Sequence, residues 1–430
     1  MVPVESKLSP TTASRSPEES RVTLRPVDGG VTAPGGFRAG AAACGIKRQR
    51  PGADRPLDLA LVVADGVASA AAVFTTNKAV AAPVVVSREH LARTGGRAQL
   101  IVTNSGCANA CTGEAGLTVA RQMAAAAAEA VGCTPDQALV ASTGVIGVAL
   151  DMAKVRTGIM SAEATLDRGA EGAAAAARAI MTTDPFPKSL AVAADSASGT
   201  IMVGGMAKGS GMIEPRMATM LGYLTTDAVV DPAVLAGALR RVVDRTFNAI
   251  TVDGECSTND CVFALASGAS GIVVTTDDDP RLIEPMMAVA GHLAREIVRG
   301  GEGATKLVTV RVIGARSDAD AWLAARTIAN SPLVKTAIHG GDPNWGRLVA
   351  AAGRSGADFS LDGASVSIGD VAVFVNGVPH DERASAAAKV LEAAEVTITV
   401  DLGTGGGHDA TMWTCDFSAE YVRINAEYRT

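Results

Sequence analysis

The sequence predicts a layered α+β fold in which helices pack against β-sheets. Short apolar runs of strand length, rich in β-branched residues, are mixed with longer Ala-rich helical segments. They do not follow a strict strand–helix–strand alternation, and no repeat of fixed period is visible, which favours separate layers. A chain of 430 residues, 48% of them hydrophobic and 19% charged, can bury a large core and suggests two or three domains or lobes.

The predicted elements follow in chain order. Residues 1–20 are rich in Ser, Pro and Glu and are predicted to form a disordered tail, because they cannot bury enough apolar surface to offset ordering. Strands are predicted at 57–63, 70–74, 84–87, 99–103, 139–142, 220–226, 307–312, 366–376 and 395–401. Helices are predicted at 117–131, 153–180, 232–248, 281–299 and 319–330, and 421–430 is a polar tail.

Composition and charge exclude several classes of protein. The net charge of −7 does not suit an anionic partner, and 3% aromatic residues are too few for base stacking. No long uncharged apolar run and no export signal is visible. The seven cysteines form no CxxC pair, which favours buried thiols over disulfides or metal ligands. We therefore expect a cytoplasmic protein that binds neither nucleic acid nor membrane.

Common catalytic signatures are missing from the sequence. There is no G-x-x-x-x-G-K-[ST], no G-x-G-x-x-G after a first strand and no G-x-S-x-G. The five histidines are scattered, which disfavours a metal site and a Ser–His pair. The Gly-rich run at 403–407 is better explained as a flexible loop than as a phosphate cradle. We expect no metal and no bound cofactor.

The central segment 208–227 offers a different nucleophile. A loop rich in Gly and Pro runs into the predicted strand 220–226, and Thr219 stands at the junction after the small residue Ala218. If the chain cuts itself there, Thr219 gains a free α-amine beside its own hydroxyl, so one residue supplies both base and nucleophile. An α-amine has a pKa of about 7.7–8.0, so about a tenth is free base at neutral pH. Taken alone, an Ala–Thr pair after a Gly-rich loop is weak evidence.

A turn after the predicted strand 139–142 could complete such a site. Thr143 and Gly144 stand there. A glycine after a strand lets backbone N–H groups approach a ligand closely, as an oxyanion hole requires. On these residues alone, an ordinary turn is the alternative.

Motifs in the order of one known family run from about Gly30 to Thr430. They are Gly30-Val-Thr-Ala-Pro-x-Gly-Phe37, Val73-Phe-Thr-Thr-Asn77, Asn104-Ser-Gly-x-Ala-Asn-Ala-Cys-Thr-Gly113, Ser142-Thr-Gly-Val-Ile-Gly147, Ile180-Met-Thr-Thr-Asp184, Lys208-Gly-Ser-Gly-Met212, Met217-Ala-Thr-Met-Leu221, Val252-Asp-Gly254, Ser257-Thr-Asn-Asp260, Gly301-Glu-Gly-Ala-Thr-Lys306, Ser331-Pro-Leu-Val-Lys-Thr-Ala337, Asp342-Pro-Asn-Trp-Gly-Arg347 and Asn425-Ala-x-Tyr-Arg-Thr430. On these motifs the chain resembles the ornithine acetyltransferase family, the bifunctional glutamate/ornithine N-acetyltransferases of the cyclic arginine pathway.

The resemblance implies roles for individual residues. Thr219 would be the nucleophile, freed by autocatalytic cleavage after Ala218, and Thr143 and Gly144 would form the oxyanion hole. The residues implied to contact substrate are Thr182, Lys208, Thr219, Glu302, Asn425 and Thr430.

The chemistry of two of these side chains suits such substrates. Lys208 can pair with the α-carboxylate of an N-acetyl amino acid, and Glu302 can meet a cationic side chain or an incoming amine. Whether Thr182 or its neighbour Thr183 faces the site stays open.

The implied reaction is a ping-pong transfer of acetyl from N-acetylornithine to Thr219 and then to glutamate. One amide is exchanged for another, so the reaction needs exclusion of water rather than a metal or nucleotide. Acetyl-CoA is implied as a second acetyl donor. Three alternatives are an aminopeptidase or amidase, a monofunctional ornithine acetyltransferase of a secondary-metabolite pathway, and a non-catalytic protein that keeps the fold.

The resemblance also sharpens the expected fold to an α/β (α+β) layered sandwich resembling N-terminal-nucleophile hydrolases, with the strand 220–226 central and a smaller C-terminal lobe. Residues 21–218 would be the α chain and 219–430 the β chain of an α2β2 heterotetramer. The residues that depart from the family pattern are Glu214, Arg216, Cys107, Glu255 and Cys256. They bear on cleavage rate and acetyl donor more than on fold.

Overall fold

A computed structural model describes residues 22–49, 52, 54–214 and 220–427. Its strands are β1 (Thr23–Val27), β2 (Phe37–Ala42), β3 (Leu59–Phe74), β4 (Arg97–Cys107), β5 (Ala138–Val145), β6 (Lys188–Ser196), β7 (Gly199–Lys208), β8 (Leu221–Thr226), β9 (Val229–Val230), β10 (Cys261–Ala266), β11 (Val273–Val274), β12 (Leu307–Ala315), β13 (Ser365–Ile368), β14 (Val371–Val375), β15 (Val378–Pro379), β16 (Glu395–Asp401) and β17 (His408–Cys415).

The α-helices of these described ranges alternate irregularly with the strands. They are α1 (Ala82–Arg93), α2 (Gly113–Val131), α3 (Met152–Glu163), α4 (Ala170–Ala179), α5 (Pro232–Arg245), α6 (Pro280–Arg299), α7 (Asp318–Ala329), α8 (Pro332–His339), α9 (Trp345–Gly353), α10 (Ala384–Val390) and α11 (Ala419–Glu427). No helix in the described part of the chain is both long enough and apolar enough to cross a bilayer.

The larger sheet has the strand order β1-β6-β7-β8-β10-β3-β4-β5, with β2 also paired to β3. The long strand β3 joins its two halves. Residues 69–74 of β3 pair with β10, whereas residues 59–63 pair with β4, and the register shifts between Val63 and Ala68. Because a shift of this kind bends and twists a strand, the two halves of the sheet can face each other.

Alternating side chains along β3 show that the halves do face each other. Ala60 and Val62 lie in one buried apolar cluster together with Tyr223 of β8, whereas Leu59 and Leu61 lie in another cluster against α2 and α3. The Tyr223 hydroxyl lies 2.8 Å from Oγ1 of Thr103 on β4, although β8 and β4 are not neighbours in the strand order.

A third cluster completes the layers. Leu224 of β8 packs there with Leu239 of α5 and Val289 of α6. The order across the molecule is therefore helices, sheet, sheet, helices, which confirms the predicted layered sandwich. Strand β8 is buried over its whole length between β7 and β10, and this confirms the predicted central position of the strand 220–226.

A smaller six-stranded sheet forms the C-terminal lobe, with the order β15-β14-β13-β16-β12-β17. Its apolar face, which includes Val310 and Ile398, packs on Ala325 of α7 and Leu348 of α9. The predicted smaller C-terminal lobe is confirmed. Strands β8 and β10 of the larger sheet follow the predicted cleavage point in sequence, so that sheet takes strands from both predicted chains.

Three sequence-based assignments are wrong. The segment 84–87 is helical within α1, because Pro83 occupies the first turn, where its missing N–H costs nothing, and the burial of Val84 and Val86 outweighs the β propensity of valine. The predicted helix 153–180 is two helices, since Asp167 exchanges backbone hydrogen bonds of 2.9 Å with Ala39 between them.

The third wrong assignment is the single strand 366–376, which is a hairpin turning at Gly369 (φ +56°). Residues 57–63 and 70–74 belong to one continuous strand, β3. Strands β6 and β7 and the helices α8 and α11 were not predicted. The small residues that fill β6 and β7 carry little strand propensity, and these strands are stabilised by pairing within the larger sheet. The predicted disordered tail, residues 1–20, lies outside the described residues.

Candidate active site

Thr143 and Gly144 lie at the end of β5, where β5 pairs in parallel with β4. Thr143 is buried. Gly144 has φ +129°, and a Cβ at this position would lie 2.3 Å from the carbonyl carbon of Gly106. Only glycine fits this turn, because both the φ angle and the close backbone approach exclude a side chain. The predicted Thr–Gly turn is therefore a constrained feature of the structure.

Buried polar side chains hold the ends of β4 and β5 together. The Ser142 hydroxyl donates to Oδ1 of Asn104 at 2.6 Å. Nδ2 of Asn259 donates to the carbonyl oxygens of Ala108 (2.7 Å) and Ser142 (3.0 Å). Buried polar groups that are satisfied in this way make an arrangement rigid, so Thr143 has a well-defined position.

Lys208 ends β7, and its ammonium reaches the turn from the opposite half of the sheet. Nζ donates to Oγ1 of Thr143 at 3.1 Å, and the side chain is fully buried. Burial lowers the pKa of the Lys208 ammonium below its ordinary value, while the nearby Asp184 carboxylate favours the charged form. The contact brings together two residues of the predicted site.

Asp184 is the buried anion that faces this lysine. Its carboxylate accepts hydrogen bonds from Nζ of Lys188 (2.6 Å), from the Gly209 amide (2.7 Å) and from the Thr182 amide (3.0 Å). Burial alone would raise the pKa of this carboxyl, but Lys208, Lys188 and the Gly209 amide outweigh it and lower the pKa to about 2. Asp184 therefore orients the backbone at Thr182.

Thr182 and Thr183 are both half-buried beside this carboxylate. The Thr182 amide binds that carboxylate directly.

Met220 follows the predicted nucleophile in the chain. Its amide donates to Oδ1 of Asp260 at 2.8 Å, and the Asp260 side chain is fully buried. Three predicted site residues, Ala218, Thr219 and Thr430, lie outside the described residues.

Glu302 and Asn425 form a second predicted pair. Nδ2 of Asn425, on α11, donates to Oε2 of Glu302 at 2.9 Å. The Glu302 amide donates to the carbonyl of Ser210 at 2.8 Å, which ties this residue to the chain just after Lys208. Residues 421–427 of the predicted polar tail thus belong to the helix α11, which contacts Glu302 through Asn425.

The loop 301–306 that carries Glu302 is anchored by the buried carboxylate of Asp416. That carboxylate accepts from the Thr305 amide (2.7 Å), the Thr305 hydroxyl (2.6 Å) and the Lys306 amide (2.9 Å). Nδ1 of His339 lies 2.6 Å from it. Glu302 is therefore presented from a fixed loop.

Glu214, whose charge departs from the family pattern, is buried together with side chains that neutralise and hydrogen-bond its carboxylate. Its carboxylate contacts the Arg326 guanidinium, accepts from Nδ2 of Asn330 at 2.7 Å and lies 3.0 Å from the Thr251 hydroxyl oxygen. Charged groups are tolerated in a protein interior when they are paired and hydrogen-bonded in this way. Arg216 lies outside the described residues.

Three buried polar residues of this site have no role that was predicted from the sequence. They are Asp184, Asn259 and Asp260. Each stands in one of the motifs that carried the family resemblance, and polar residues beside apolar strands were the available signal.

The layered α/β fold and this cluster of buried polar groups at strand ends define an enzyme. The chain belongs to the ArgJ family, because the model described as the ArgJ family matches residues 38–430. Two relatives named "Arginine biosynthesis bifunctional protein ArgJ" are similar to it. The one from Symbiobacterium thermophilum is 49% identical over 94% of this chain and 99% of its own, and the one from Thermosynechococcus vestitus is 47% identical over the same shares.

Two solved structures are also similar to part of the chain. The crystal structure of arginine biosynthesis bifunctional protein ArgJ from Bacillus halodurans is 40% identical, with a TM-score of 0.43, over 46% of this chain and 99% of that one. The structure of ornithine acetyltransferase complexed with ornithine from Mycobacterium tuberculosis is 41% identical, with a TM-score of 0.40, over 45% of this chain and 98% of that one.

Proposed function

We propose that the chain is a self-cleaving acyltransferase of arginine biosynthesis that moves an acetyl group from N-acetylornithine to glutamate. The name shared by its relatives supports the pathway. The observation that carries the chemistry is the 3.1 Å contact between Lys208 Nζ and Thr143 Oγ1, beside a turn that only glycine can form. A buried cation next to a hydroxyl suits the stabilisation of a developing oxyanion.

In the first half-reaction the Thr219 hydroxyl attacks the acetyl carbonyl and its proton passes to the Thr219 α-amine. A C–O bond forms, the amide C–N bond breaks, and the leaving ornithine nitrogen takes that proton. In the second half-reaction the glutamate amine attacks the acetyl ester, a C–N bond forms, the ester C–O bond breaks, and a proton from that amine passes through the Thr219 α-amine to the Thr219 oxygen. The Thr143 hydroxyl and the Gly144 N–H stabilise the oxyanion in both steps.

Lys208 supports this oxyanion hole. Its ammonium polarises the Thr143 hydroxyl, which becomes a stronger donor, because a charge-assisted hydrogen bond is stronger than a neutral one. The buried position makes the effect larger than it would be in water. Among the described residues its Nζ donates to Thr143 alone, and a further N–H of Lys208 meets the substrate carboxylate.

Glu302 and Asn425 recognise the amino-acid side chain. The carboxylate of Glu302 meets the cationic group of ornithine, and Asn425 keeps that carboxylate in place at 2.9 Å. Thr182 and Thr430 provide further substrate contacts. Acetyl-CoA serves as a second acetyl donor, and the two cleaved chains assemble as an α2β2 heterotetramer.

Denaturing electrophoresis with N-terminal sequencing tests the nucleophile. The purified protein is expected to give two fragments of similar size, the second beginning at Thr219, whereas Thr219→Ala should give one band of 43.4 kDa. An intact wild-type chain would contradict the proposal.

The acceptor is tested by supplying N-acetylornithine with and without glutamate. Acetylglutamate should form only with glutamate, with little free acetate in its absence. Rapid acetate release without an acceptor would identify a hydrolase instead.

A further inference from the structure

No residue of the polar segment 251–260 takes part in a step of the proposed acetyl transfer. Its sequence is Thr-Val-Asp-Gly-Glu-Cys-Ser-Thr-Asn-Asp, between the apolar helix α5 and the buried strand β10. It contacts the chain on both sides of residues 215–219. The groups that make these contacts differ between the upstream side, before residue 215, and the downstream side, after residue 219.

At the upstream end the segment binds the backbone of Met212 and Ile213. The Asp253 carboxylate accepts from the Met212 amide at 2.6 Å and from the Ile213 amide at 2.8 Å. In return the Ile213 carbonyl accepts from the Val252 amide at 3.0 Å and from the Thr251 hydroxyl at 2.9 Å. Four hydrogen bonds thus connect Met212 and Ile213 to residues 251–253.

The conformation of Met212 indicates that these bonds constrain the chain. Met212 has φ +58°, a left-handed conformation that costs a residue with a Cβ about 1–2 kcal/mol. Such a conformation persists only when the surroundings over-determine it. Asp253 is itself fixed, since it also accepts from the Glu255 amide (3.3 Å) and the Tyr421 hydroxyl (3.2 Å).

At the downstream end one buried carboxyl binds the chain. Oδ1 of Asp260 accepts from the Met220 amide at 2.8 Å, and Oδ2 is buried with no hydrogen-bond partner among the described residues. Burial raises the pKa of Asp260 well above its ordinary value, although the Met220 amide and Lys208 oppose this shift. Burial at this position therefore favours the uncharged form of the carboxyl.

We propose that the segment 251–260 is a two-sided bracket that positions the backbone between Glu214 and Met220 for self-cleavage, with Asp253 and Asp260 as its positioning residues. The inference rests on the proposed function, because the positioned bond is the Ala218–Thr219 amide. In that step the Thr219 oxygen forms a bond to the Ala218 carbonyl carbon, the C–N bond breaks, and the nitrogen gains the hydroxyl proton. Water then hydrolyses the ester to an Ala218 carboxylate and the free Thr219 hydroxyl. Holding both ends of a short segment reduces the conformations that compete with attack.

The two carboxyls are expected to respond differently to replacement by asparagine. Each oxygen of Asp253 accepts two hydrogen bonds. Asp253→Asn replaces one of these oxygens with an NH2 group, which cannot accept a hydrogen bond and would face two hydrogen-bond donors. Asp260 uses one oxygen, Oδ1, to accept from the Met220 amide, and Asp260→Asn retains both that acceptor and the polar character of the side chain. Asp260→Leu retains neither.

The experiment is a time course of self-cleavage of the full chain after rapid purification, followed by denaturing electrophoresis. We expect Asp253→Asn and Asp260→Leu to slow cleavage at least tenfold, and Asp260→Asn to stay within about threefold of the wild type. Asp279→Asn is the matched control and should cut at the wild-type rate. Asp279 is likewise buried and accepts a backbone N–H, but it caps the start of α6.

Folding is compared in a Thr219→Ala background, where every chain is expected to stay uncut. Equal melting temperatures combined with slow cleavage would support positioning rather than general stability. If Asp253→Asn and Asp260→Leu cut at the wild-type rate, or slow cleavage only in proportion to lost stability, the bracket is wrong although the proposed function stands. A wild-type chain that does not cut would overturn the cleavage step of the proposed function and the bracket together.

Discussion

The ammonium of Lys208 lies 3.1 Å from the Thr143 hydroxyl, although β7 and β5 are separated by four strands in the order of the larger sheet. Strands are spaced by about 4.8 Å, so a flat sheet would hold these two strands about 24 Å apart. The contact exists because β3 bends and the two halves of the sheet face each other. The site is therefore a property of the sandwich and not of either strand.

Replacing Lys208 tests this contact. Lys208→Met keeps most of the buried stem but removes the ammonium, and we expect kcat for acetyl transfer to fall about a hundredfold, as for loss of an oxyanion-hole donor. Thr143→Val should have a similar effect, and the double variant should be little worse than Thr143→Val alone, because the lysine acts through the hydroxyl. Steady-state kinetics on cleaved enzyme measure this.

Lys154→Met is the control, since Lys154 is an exposed lysine that donates only to the Gly45 carbonyl among its described hydrogen bonds. Its kcat should be unchanged. Fully additive losses in the double variant would contradict the assigned relationship.

Gly144 and Gly147 provide a matched pair in one turn. Both have a positive φ, but a Cβ on Gly144 would clash with Gly106 at 2.3 Å, whereas a Cβ on Gly147 would meet nothing within 4 Å. We expect Gly147→Ala to cost about 1–2 kcal/mol for its left-handed backbone. Gly144→Ala should cost several kcal/mol more and abolish transfer, because the backbone must move. Denaturant unfolding in a Thr219→Ala background compares the two, and equal costs would contradict the steric argument.

Replacing Glu302 is expected to raise KM for N-acetylornithine more than KM for glutamate. Glu302→Gln removes the charge that faces the cation of ornithine, so KM for N-acetylornithine should rise at least tenfold. KM for glutamate, which has no cationic side chain, should change less. Asn425→Ala should shift KM in the same direction by a smaller factor, because it loosens the 2.9 Å contact that orients Glu302.

Glu114→Gln, at a carboxylate whose side chain is 81% exposed, should leave both KM values unchanged. An equal rise of KM for the two substrates in Glu302→Gln would place Glu302 outside the specificity pocket.

The Asp184 carboxyl makes the free energy of unfolding depend on pH in the acid range. Its folded pKa of about 2 lies below the ordinary value of about 3.9 for an unfolded chain. The ionised carboxyl therefore contributes stability that is complete above about pH 4 and is lost as the pH falls towards 2, on the order of 2 kcal/mol. In a Thr219→Ala background the free energy of unfolding should fall more steeply between pH 4 and pH 2 with Asp184 than with Asp184→Asn. Parallel pH profiles would contradict this assignment.

Local sequence signals predicted the elements that carry their own pattern. The helix at 281–299 and the strands 220–226 and 395–401 agree with α6, β8 and β16 within a residue or two, since their apolar periodicity matches their burial. The strand predicted at 84–87 failed because packing and Pro83 outweigh the preference of valine for strands. Strands β6 and β7 were missed because their many Ala, Gly and Ser residues carry little strand propensity.

By itself the sequence determined the layered class of the fold, the smaller C-terminal lobe and the proposed chemistry of Thr219, because residue types and ordered motifs are local properties. Only the tertiary structure decided that Lys208 meets Thr143, that Glu302 meets Asn425 and that Asp253 and Asp260 hold the chain on either side of residues 215–219. These pairs are separated by up to 123 positions. The separation of two residues in the sequence does not show whether a bent sheet brings their side chains together. Burial between the two halves of the sheet then sets the pKa values of the enclosed groups.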